Sequence, residues 1–122
     1  MKVAVTSTGA TPDSAVDERF GRCRYFVIVN TDDDSFEAVE NDASVASGAG
    51  VNAAQLLAGR SVEAVVTGNC GPKAFSVLNA AGMPVHTGAS GTVAEAVAAF
   101  RRGELAATSG PTGPAHAGQG GW

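Results

Sequence analysis

The first forty residues contain three separate strand patterns, and this crowding of strands before any helix is the feature that most constrains the fold. The patterns lie at 2–6, 24–30 and 36–40, where β-branched and aromatic residues dominate or apolar and polar residues alternate. Turn residues at 32–34 separate the second and third patterns, which predicts a β-hairpin. The chain is therefore expected to open with three antiparallel strands, β1, β2 and β3.

After residue 50 the chain alternates between helix and strand patterns. Apolar residues recur at spacings of three and four, and a glycine ends each of these runs. The predicted helices α1, α2 and α3 lie between Gly50 and Gly59, between Pro72 and Gly82, and between Thr92 and Gly103. The short apolar runs 62–66 and 84–87 are the predicted strands β4 and β5. Strand–helix–strand connections produce parallel strands, so the sequence predicts an α/β fold with a mixed five-stranded sheet, in the order β1-β2-β3-α1-β4-α2-β5-α3.

Length and charge narrow the class of protein. The 122 residues correspond to one domain, because compact domains span about 100 to 150 residues. The net charge of −4 lacks the basic excess that nucleic acid or an anionic membrane attracts, and no apolar run approaches the roughly twenty residues of a membrane-spanning helix. We therefore expect a cytoplasmic protein with an α/β domain over 1–105. Seven of the thirteen residues from 110 to 122 are Gly or Pro, so 106–122 is predicted to be a mobile tail.

Alternating strand directions place several loops at one edge of the predicted sheet. If β1 runs upward, β3, β4 and β5 also run upward, and the loops that follow them gather with the loop that precedes β2. We call this the upper edge; its segments are 7–23, 41–50, 67–72 and 88–91. Three of these loops lead into helices, whose first amide groups and positive dipole ends favour an anion.

Basic side chains concentrate at the same edge. Arg19, Arg22 and Arg24 fall within six positions, and Lys73 stands at the start of α2. These charges predict an anion site there. An alternative stays open from the residues alone, namely that the arginines neutralise acidic residues of the same solvated loop. Those acidic residues are Asp13, Asp17 and Glu18.

Signals for enzymatic chemistry are weaker. Residues 48–53 match G-x-G-x-x-A, a dinucleotide-binding pattern, but a hairpin strand precedes them and no acidic residue stands at the far end of the next strand. Close packing of α1 is the alternative reason for these glycines. The first strand contains no acid, which disfavours a metal-dependent nuclease, and no Ser-His-Asp or Cys-His arrangement can be assigned. A small-metabolite or nucleotide-binding enzyme that uses the glycine-rich loops remains the alternative function.

The two cysteines lie on different upper-edge loops. Cys23 precedes β2, and Cys70 stands next to the start of α2, where a helix dipole lowers the pKa of a thiol. Thiolates are ligands for copper and iron–sulfur centres, so both residues are candidate metal ligands. The alternative is that each is a small buried side chain with a free thiol.

Four motifs together resemble one known family over residues 1–105. They are Phe20-Gly21-Arg22; Gly48-Ala49-Gly50 with Ala53-Ala54 and Leu57; Gly68, Gly71-Pro72, Ala74-Phe75 and Leu78; and Gly91-Thr92-Val93 with Glu95-Ala96 and Phe100. The family is the nitrogenase iron-molybdenum cofactor biosynthesis family, of the NifX and NifB C-terminal type. Arg19 departs from the pattern, because many members have His before Phe-Gly, so a histidine ligand is not carried over.

The resemblance implies a ribonuclease H-like sheet that binds or carries a metal–sulfur cluster without catalysis. Small stand-alone members include one that holds a molybdenum–copper sulfide cluster without covalent attachment. We therefore expect an anionic molybdenum-containing cluster, with Mo–Cu sulfide favoured over Mo–Fe–S, and a protein partner that donates or accepts it. The predicted cluster-binding residues are Arg19, Phe20, Gly21, Arg22, Arg24, Gly48, Gly50, Gly68, Asn69, Gly71, Lys73, Gly88, Gly91 and Thr92. The predicted metal ligands are Cys70 and Cys23.

Overall fold

The computed structural model describes residues 1–41, 49–108 and 110. Within those residues, eight elements follow the predicted order. The strands are β1 (Lys2–Ser7), β2 (Tyr25–Asn30), β3 (Phe36–Glu40), β4 (Ala64–Val66) and β5 (Val85–His86). The helices are α1 (Ala49–Ala58), α2 (Pro72–Ala80) and α3 (Val93–Arg101). None of the helices described is long and apolar enough to cross a membrane.

Strands β4 and β5 are shorter than the predicted runs. Val62 lies outside β4, because its amide donates to Leu57 O at 3.3 Å and so belongs to the end of α1. Pro84 has no amide hydrogen with which to extend β5, although its carbonyl oxygen accepts a bond from Val65 N at 3.0 Å. The way α1 ends and the position of one proline therefore set the lengths of these strands.

The sheet has the strand order β3-β2-β1-β4-β5. Its central strand β1 is antiparallel to β2 and parallel to β4. On the outside, β3 is antiparallel to β2, and β5 is parallel to β4. Strands β1, β3, β4 and β5 thus point in one direction, so the predicted mixed five-stranded sheet is confirmed and the upper edge is a common edge. The ribonuclease H-like classification remains an implication of the resemblance.

The two faces of the sheet have separate cores, because successive side chains of a strand point to opposite faces. Ala4 packs in the core that contains Leu57 of α1 and Leu78 of α2. Val3 and Val5 lie in the other core, which contains buried residues of α3. One layer of helices therefore covers each face, and removal of this apolar surface from water stabilises the fold.

The outer side of β5 is covered by the chain that follows α3. Ala107 pairs with His86, and Thr108 N donates to Val85 O at 2.7 Å. Pairing with the sheet thus continues past the predicted domain boundary at residue 105. The rest of the predicted tail lies outside the described residues, apart from Gly110.

Candidate functional site

The long loop between β1 and β2, residues 8–24, packs its first half against the start of α3. Val93 N donates to Ser14 O and Ala94 N donates to Pro12 O, each at 2.9 Å. Amides in the first turn of a helix have no carbonyl partner within the helix itself. The loop supplies these partners and therefore closes the start of α3.

A capping box completes this closure, as the spacing of Thr92 and Glu95 predicts. Glu95 N donates to Thr92 Oγ1 at 3.1 Å, and Thr92 N donates to Glu95 Oε1 at 2.8 Å. Gly91 is required here, because its φ is 79° and an added Cβ would lie 2.5 Å from Glu95 Oε1. The first amides of α3 are thus bonded within the chain, contrary to the expectation that they face a ligand. They give no support to the prediction that Gly88, Gly91 and Thr92 bind the cluster.

The second half of the loop is attached to the segment that follows β4. Asn69 N donates to Glu18 O at 2.7 Å, and Phe20 N donates to Asn69 O at 3.2 Å. The two segments approach so closely that a Cβ atom at Gly68 would lie 2.7 Å from Glu18 Cα. Two of the predicted site residues, Gly68 and Asn69, therefore hold the loop in place.

Beneath this contact, buried polar groups connect the loop to the ends of β1 and β4. Thr6 Oγ1 donates to Asp17 O at 2.6 Å and lies 2.9 Å from Thr67 Oγ1. Asp17 N donates to Thr6 O at 3.0 Å. The sequence analysis does not identify Thr6 and Thr67. The available signal was a polar residue at the end of each of two neighbouring parallel strands.

Arg19 is paired with Asp17. The carboxylate oxygen Asp17 Oδ1 accepts a bond from Arg19 N at 2.9 Å and one from Arg19 Nε at 3.3 Å. The carboxylate is nearly buried, whereas 66% of the arginine side chain is exposed. Neutralisation within the loop, the alternative that the sequence left open, therefore applies to Arg19. This pairing reduces the net charge that Arg19 offers an anion.

Residues 20–24 form a turn, here called the basic turn, in which the side chains of Arg22 and Arg24 are exposed. Asn41, the first residue after β3, holds the turn from one side. Asn41 Nδ2 donates to Gly21 O at 3.1 Å and to Cys23 O at 2.8 Å, and Asn41 N donates to Arg24 O at 2.9 Å. The sequence analysis does not identify Asn41, whose only signal was its position at the upper edge.

The other predicted site residues include Phe20, Gly50 and Gly48. Phe20 is 2% exposed, and its ring centroid lies 5.4 Å from that of Phe26 in the core beneath α1 and α2. Gly50 is the second residue of α1. Gly48 lies outside the described residues. The predictions for these three residues stay predictions, and for Phe20 the side chain serves packing.

Among the residues that the structure describes, none caps the start of α2, in contrast with the start of α3. Gly71 occupies the N-cap position without a side chain that could cap, and Pro72 is the first helical residue. A cavity of about 310 Å³ lies here, lined by Gly21, Gly71, Pro72, Lys73 and Ala74. Within the described residues, the amides of Lys73 and Ala74 have no hydrogen-bond partner. The structure thus brings three predicted residues, Gly21, Gly71 and Lys73, together beside these two amides.

A larger cavity of about 430 Å³ runs along α3 beside β2 and β3. Its lining includes Val29, Phe36, Val97 and Arg101, and none of the predicted site residues. Arg101 is already paired with Asp34 at 2.7 Å. Arg102, which also lines this cavity, is paired with Glu104 at 2.7 Å, so carboxylates already neutralise both of its cationic side chains. The cavity at the start of α2 is therefore the better candidate for an anion.

Both cysteines are buried in the core on the side of α1 and α2. Burial, with the charge of Asp17 adding to it, raises the pKa of Cys23 to about 12, and burial raises the pKa of Cys70 to about 11. The expectation of a lowered pKa at Cys70 is wrong, because desolvation of the thiolate outweighs the helix dipole. In the described part of the chain, no group of three His, Cys, Asp or Glu side chains is arranged to hold a metal ion. Metal ligation by Cys70 and Cys23 stays a prediction.

Comparison with known proteins identifies the family. Residues 1–103 match the model of the family described as dinitrogenase iron-molybdenum cofactor. The chain belongs to this family. Membership confirms the resemblance that the four sequence motifs carry. The matched residues include the strands, helices and upper edge described above.

Members and relatives of this family share most of their length with the chain. The apo form of the orange protein from Desulfovibrio gigas is 42% identical with a TM-score of 0.89, and the match covers 92% of this chain and 96% of that one. A Thermotoga protein described as NifB is 38% identical with a TM-score of 0.82, over 93% of this chain and 97% of that one. An uncharacterized protein of Methanocaldococcus jannaschii is 32% identical over 109 residues, which are 86% of this chain and 89% of the relative.

Proposed function

We propose that the protein binds and carries an anionic molybdenum-containing metal–sulfur cluster at the start of α2, without catalysing a reaction. The cluster is its cargo. Family membership supports this class of cargo, and the likeness to the orange protein supports a carrier of this size. The observation that carries the location is the cavity of about 310 Å³ beside the amides of Lys73 and Ala74, for which the described part of the chain supplies no hydrogen-bond partner.

The chemistry of the cavity suits an anion with sulfide ligands. Amides at a helix start point N–H groups and the positive end of the helix dipole at a bound anion. Arg22 and Arg24 belong to the basic turn, whose Gly21 lines the cavity, and their guanidinium groups would add charge-assisted donors. Lys73 also fits, because an ammonium group in the first turn opposes the helix dipole unless an anion compensates it.

A Mo–Cu sulfide cluster is the favoured cargo, with Mo–Fe–S as the alternative. A cluster whose metals are already coordinated by sulfide needs hydrogen-bond donors and positive charge but no protein ligand. Protonated, buried thiols at Cys23 and Cys70 are compatible with such a cargo. The cluster then passes to or from a second protein, since a carrier without a reaction needs a donor or an acceptor.

Uptake of tetrathiomolybdate, with and without Cu(I), tests this function through visible absorption and metal analysis of the protein after gel filtration. The double substitution Arg22→Gln/Arg24→Gln should weaken binding by at least about tenfold, because each charge-assisted bond contributes about 1.5–3 kcal/mol. The matched control is Arg60→Gln/Arg102→Gln, which changes the net charge equally but removes exposed ion pairs with Glu37 and Glu104. Equal affinities of the two double variants would contradict the proposed location.

The same measurement separates a sulfide-coordinated cargo from ligation by the protein. Substitution of Cys23 or Cys70 by Ser should leave the visible spectrum of the bound cluster unchanged, because neither thiol contributes a ligand. A changed spectrum in Cys70→Ser, with circular dichroism of the parent, would instead make Cys70 a direct ligand. A colourless protein that retains a nucleotide or small metabolite would support the alternative enzyme.

A further inference from the structure

A single side chain fixes the basic turn. Asn41 Nδ2 donates to Gly21 O at 3.1 Å and to Cys23 O at 2.8 Å. Asn41 N donates to Arg24 O at 2.9 Å, which joins the turn to the end of β3. Asn41 therefore engages the carbonyl groups on both sides of Arg22.

A second donor reinforces this arrangement from within the turn. The thiol of Cys23 donates to Phe20 O at 3.2 Å. Together with the bonds from Asn41, the carbonyl oxygens of residues 20, 21, 23 and 24 are all engaged by donors of the chain. Four carbonyl dipoles of the turn are thus directed at partners inside the protein.

These bonds matter for an anion because the two ends of a peptide group act on it with opposite sign. A carbonyl oxygen repels an anion, whereas an N–H group attracts it. Gly21 lines the cavity at the start of α2, so the orientation of its carbonyl group decides what an anion there meets. The bond from Asn41 Nδ2 keeps Gly21 O hydrogen-bonded to the side-chain amide.

We propose that Asn41 is a positioning residue of the anion site. Its side-chain amide withholds Gly21 O and Cys23 O from the ligand and fixes the backbone that carries Arg22. Asn41 itself does not contact the anion. This inference rests on the proposed function and adds to it a requirement for an amide donor at position 41.

Substitution of Asn41 tests this role with tetrathiomolybdate as the probe and a visible titration as the readout. Asn41→Ala should weaken binding by about tenfold, because two carbonyl oxygens lose their donor. Asn41→Asp should weaken it further, since a carboxylate would face those oxygens and add a negative charge near the anion. Asn79→Ala, at an exposed position in the last turn of α2, is the matched control and should keep the parental affinity.

A double-mutant cycle separates positioning from a general loss of stability. Asn41→Ala should cost less in an Arg22→Gln background than in the parent, because the share of its effect that acts through the backbone carrying Arg22 is then already lost, whereas the share due to the two carbonyl oxygens remains. Losses that multiply fully would contradict the positioning of Arg22. A lower melting temperature with unchanged affinity of the folded protein would show a purely structural role and would also overturn it.

The outcomes distinguish this inference from the proposed function. A parent protein that binds no thiomolybdate contradicts both. A parent that binds, together with an Asn41→Ala variant of equal affinity, contradicts only the inference. If Asn41→Asp does not fold, Asn41→Ser carries the test, because its hydroxyl restores one donor and should give an affinity between those of the parent and Asn41→Ala.

Discussion

The starts of α2 and α3 lie at the same edge of the sheet, yet their amides differ in what they bond. At α3, the amides of Val93 and Ala94 donate to carbonyl groups of the loop between β1 and β2, and Thr92 and Glu95 cap each other. At α2, Gly71 provides no side-chain cap and a cavity remains. A helix start is therefore a candidate anion site only where the chain does not already use its amides.

One loop causes this difference. Its first half lies on α3, where it supplies the carbonyl partners. Its second half is held at Gly68 and Asn69, just before α2, and passes the helix start without covering Gly71. Among the described residues, this segment thus closes the start of α3 and leaves that of α2 uncapped, and substitutions at either helix start test the difference.

The largest expected effect is that of Gly68→Ala, which would force the loop away from the segment before α2. The new Cβ would lie 2.7 Å from Glu18 Cα, a backbone atom that cannot move independently. We expect a loss of about 3 kcal/mol in the free energy of unfolding, measured by urea denaturation. Gly71→Ala is the matched control, because a Cβ there meets nothing within 4 Å and φ is −72°. Equal stability of the two variants would refute the close approach.

Next in size is Gly71→Asp, which would make the start of α2 resemble that of α3. Asp is a preferred N-cap residue, so its carboxylate should accept a bond from an amide of the first turn. The apo protein should gain a few tenths of a kcal/mol, while tetrathiomolybdate affinity should fall by more than about tenfold. Gly71→Ser supplies a cap without charge and should lose less affinity. Unchanged affinity in Gly71→Asp would exclude the open helix start as the site.

The fold was predictable from local patterns, because strand and helix periodicities, glycine stops and the Thr92–Glu95 spacing each act over a few residues. They predict the element order and the common edge, and the structure confirms both. The ends of β4 and β5 were not predictable in the same way. They depend on the bond from Val62 N to Leu57 O and on how Pro84 limits pairing.

The site was predictable only in part, because its properties depend on contacts between distant segments. Sequence position places Lys73 and Gly71 at a helix start, and the structure agrees. Position alone also suggested a lowered thiol pKa at Cys70, whereas burial by residues far along the chain raises it to about 11. The pairing of Arg19 with Asp17 and the bonds of Asn41 likewise required the folded loop.

The smallest expected effect is that of Thr92→Ala. This substitution should lower the stability of the protein through the start of α3 and leave anion binding at the start of α2 nearly unchanged. Loss of Thr92 Oγ1 removes the acceptor of Glu95 N, so the free energy of unfolding should fall by about 1 kcal/mol. Affinity for tetrathiomolybdate should stay within about twofold, because Val93 N and Ala94 N remain bonded to loop carbonyls and the α2 cavity is untouched.

A drop in affinity comparable to that of Gly71→Asp would change this interpretation. It would place Thr92 in the binding site, as its sequence position predicts, and would mean that the closed start of α3 opens for the ligand. Urea denaturation and visible titration on one preparation separate the two cases, since a cap that only stabilises α3 lowers stability alone. If stability alone falls, the loop carbonyls that bond Val93 N and Ala94 N keep the start of α3 closed, and the Thr92 hydroxyl serves only as the cap of Glu95 N.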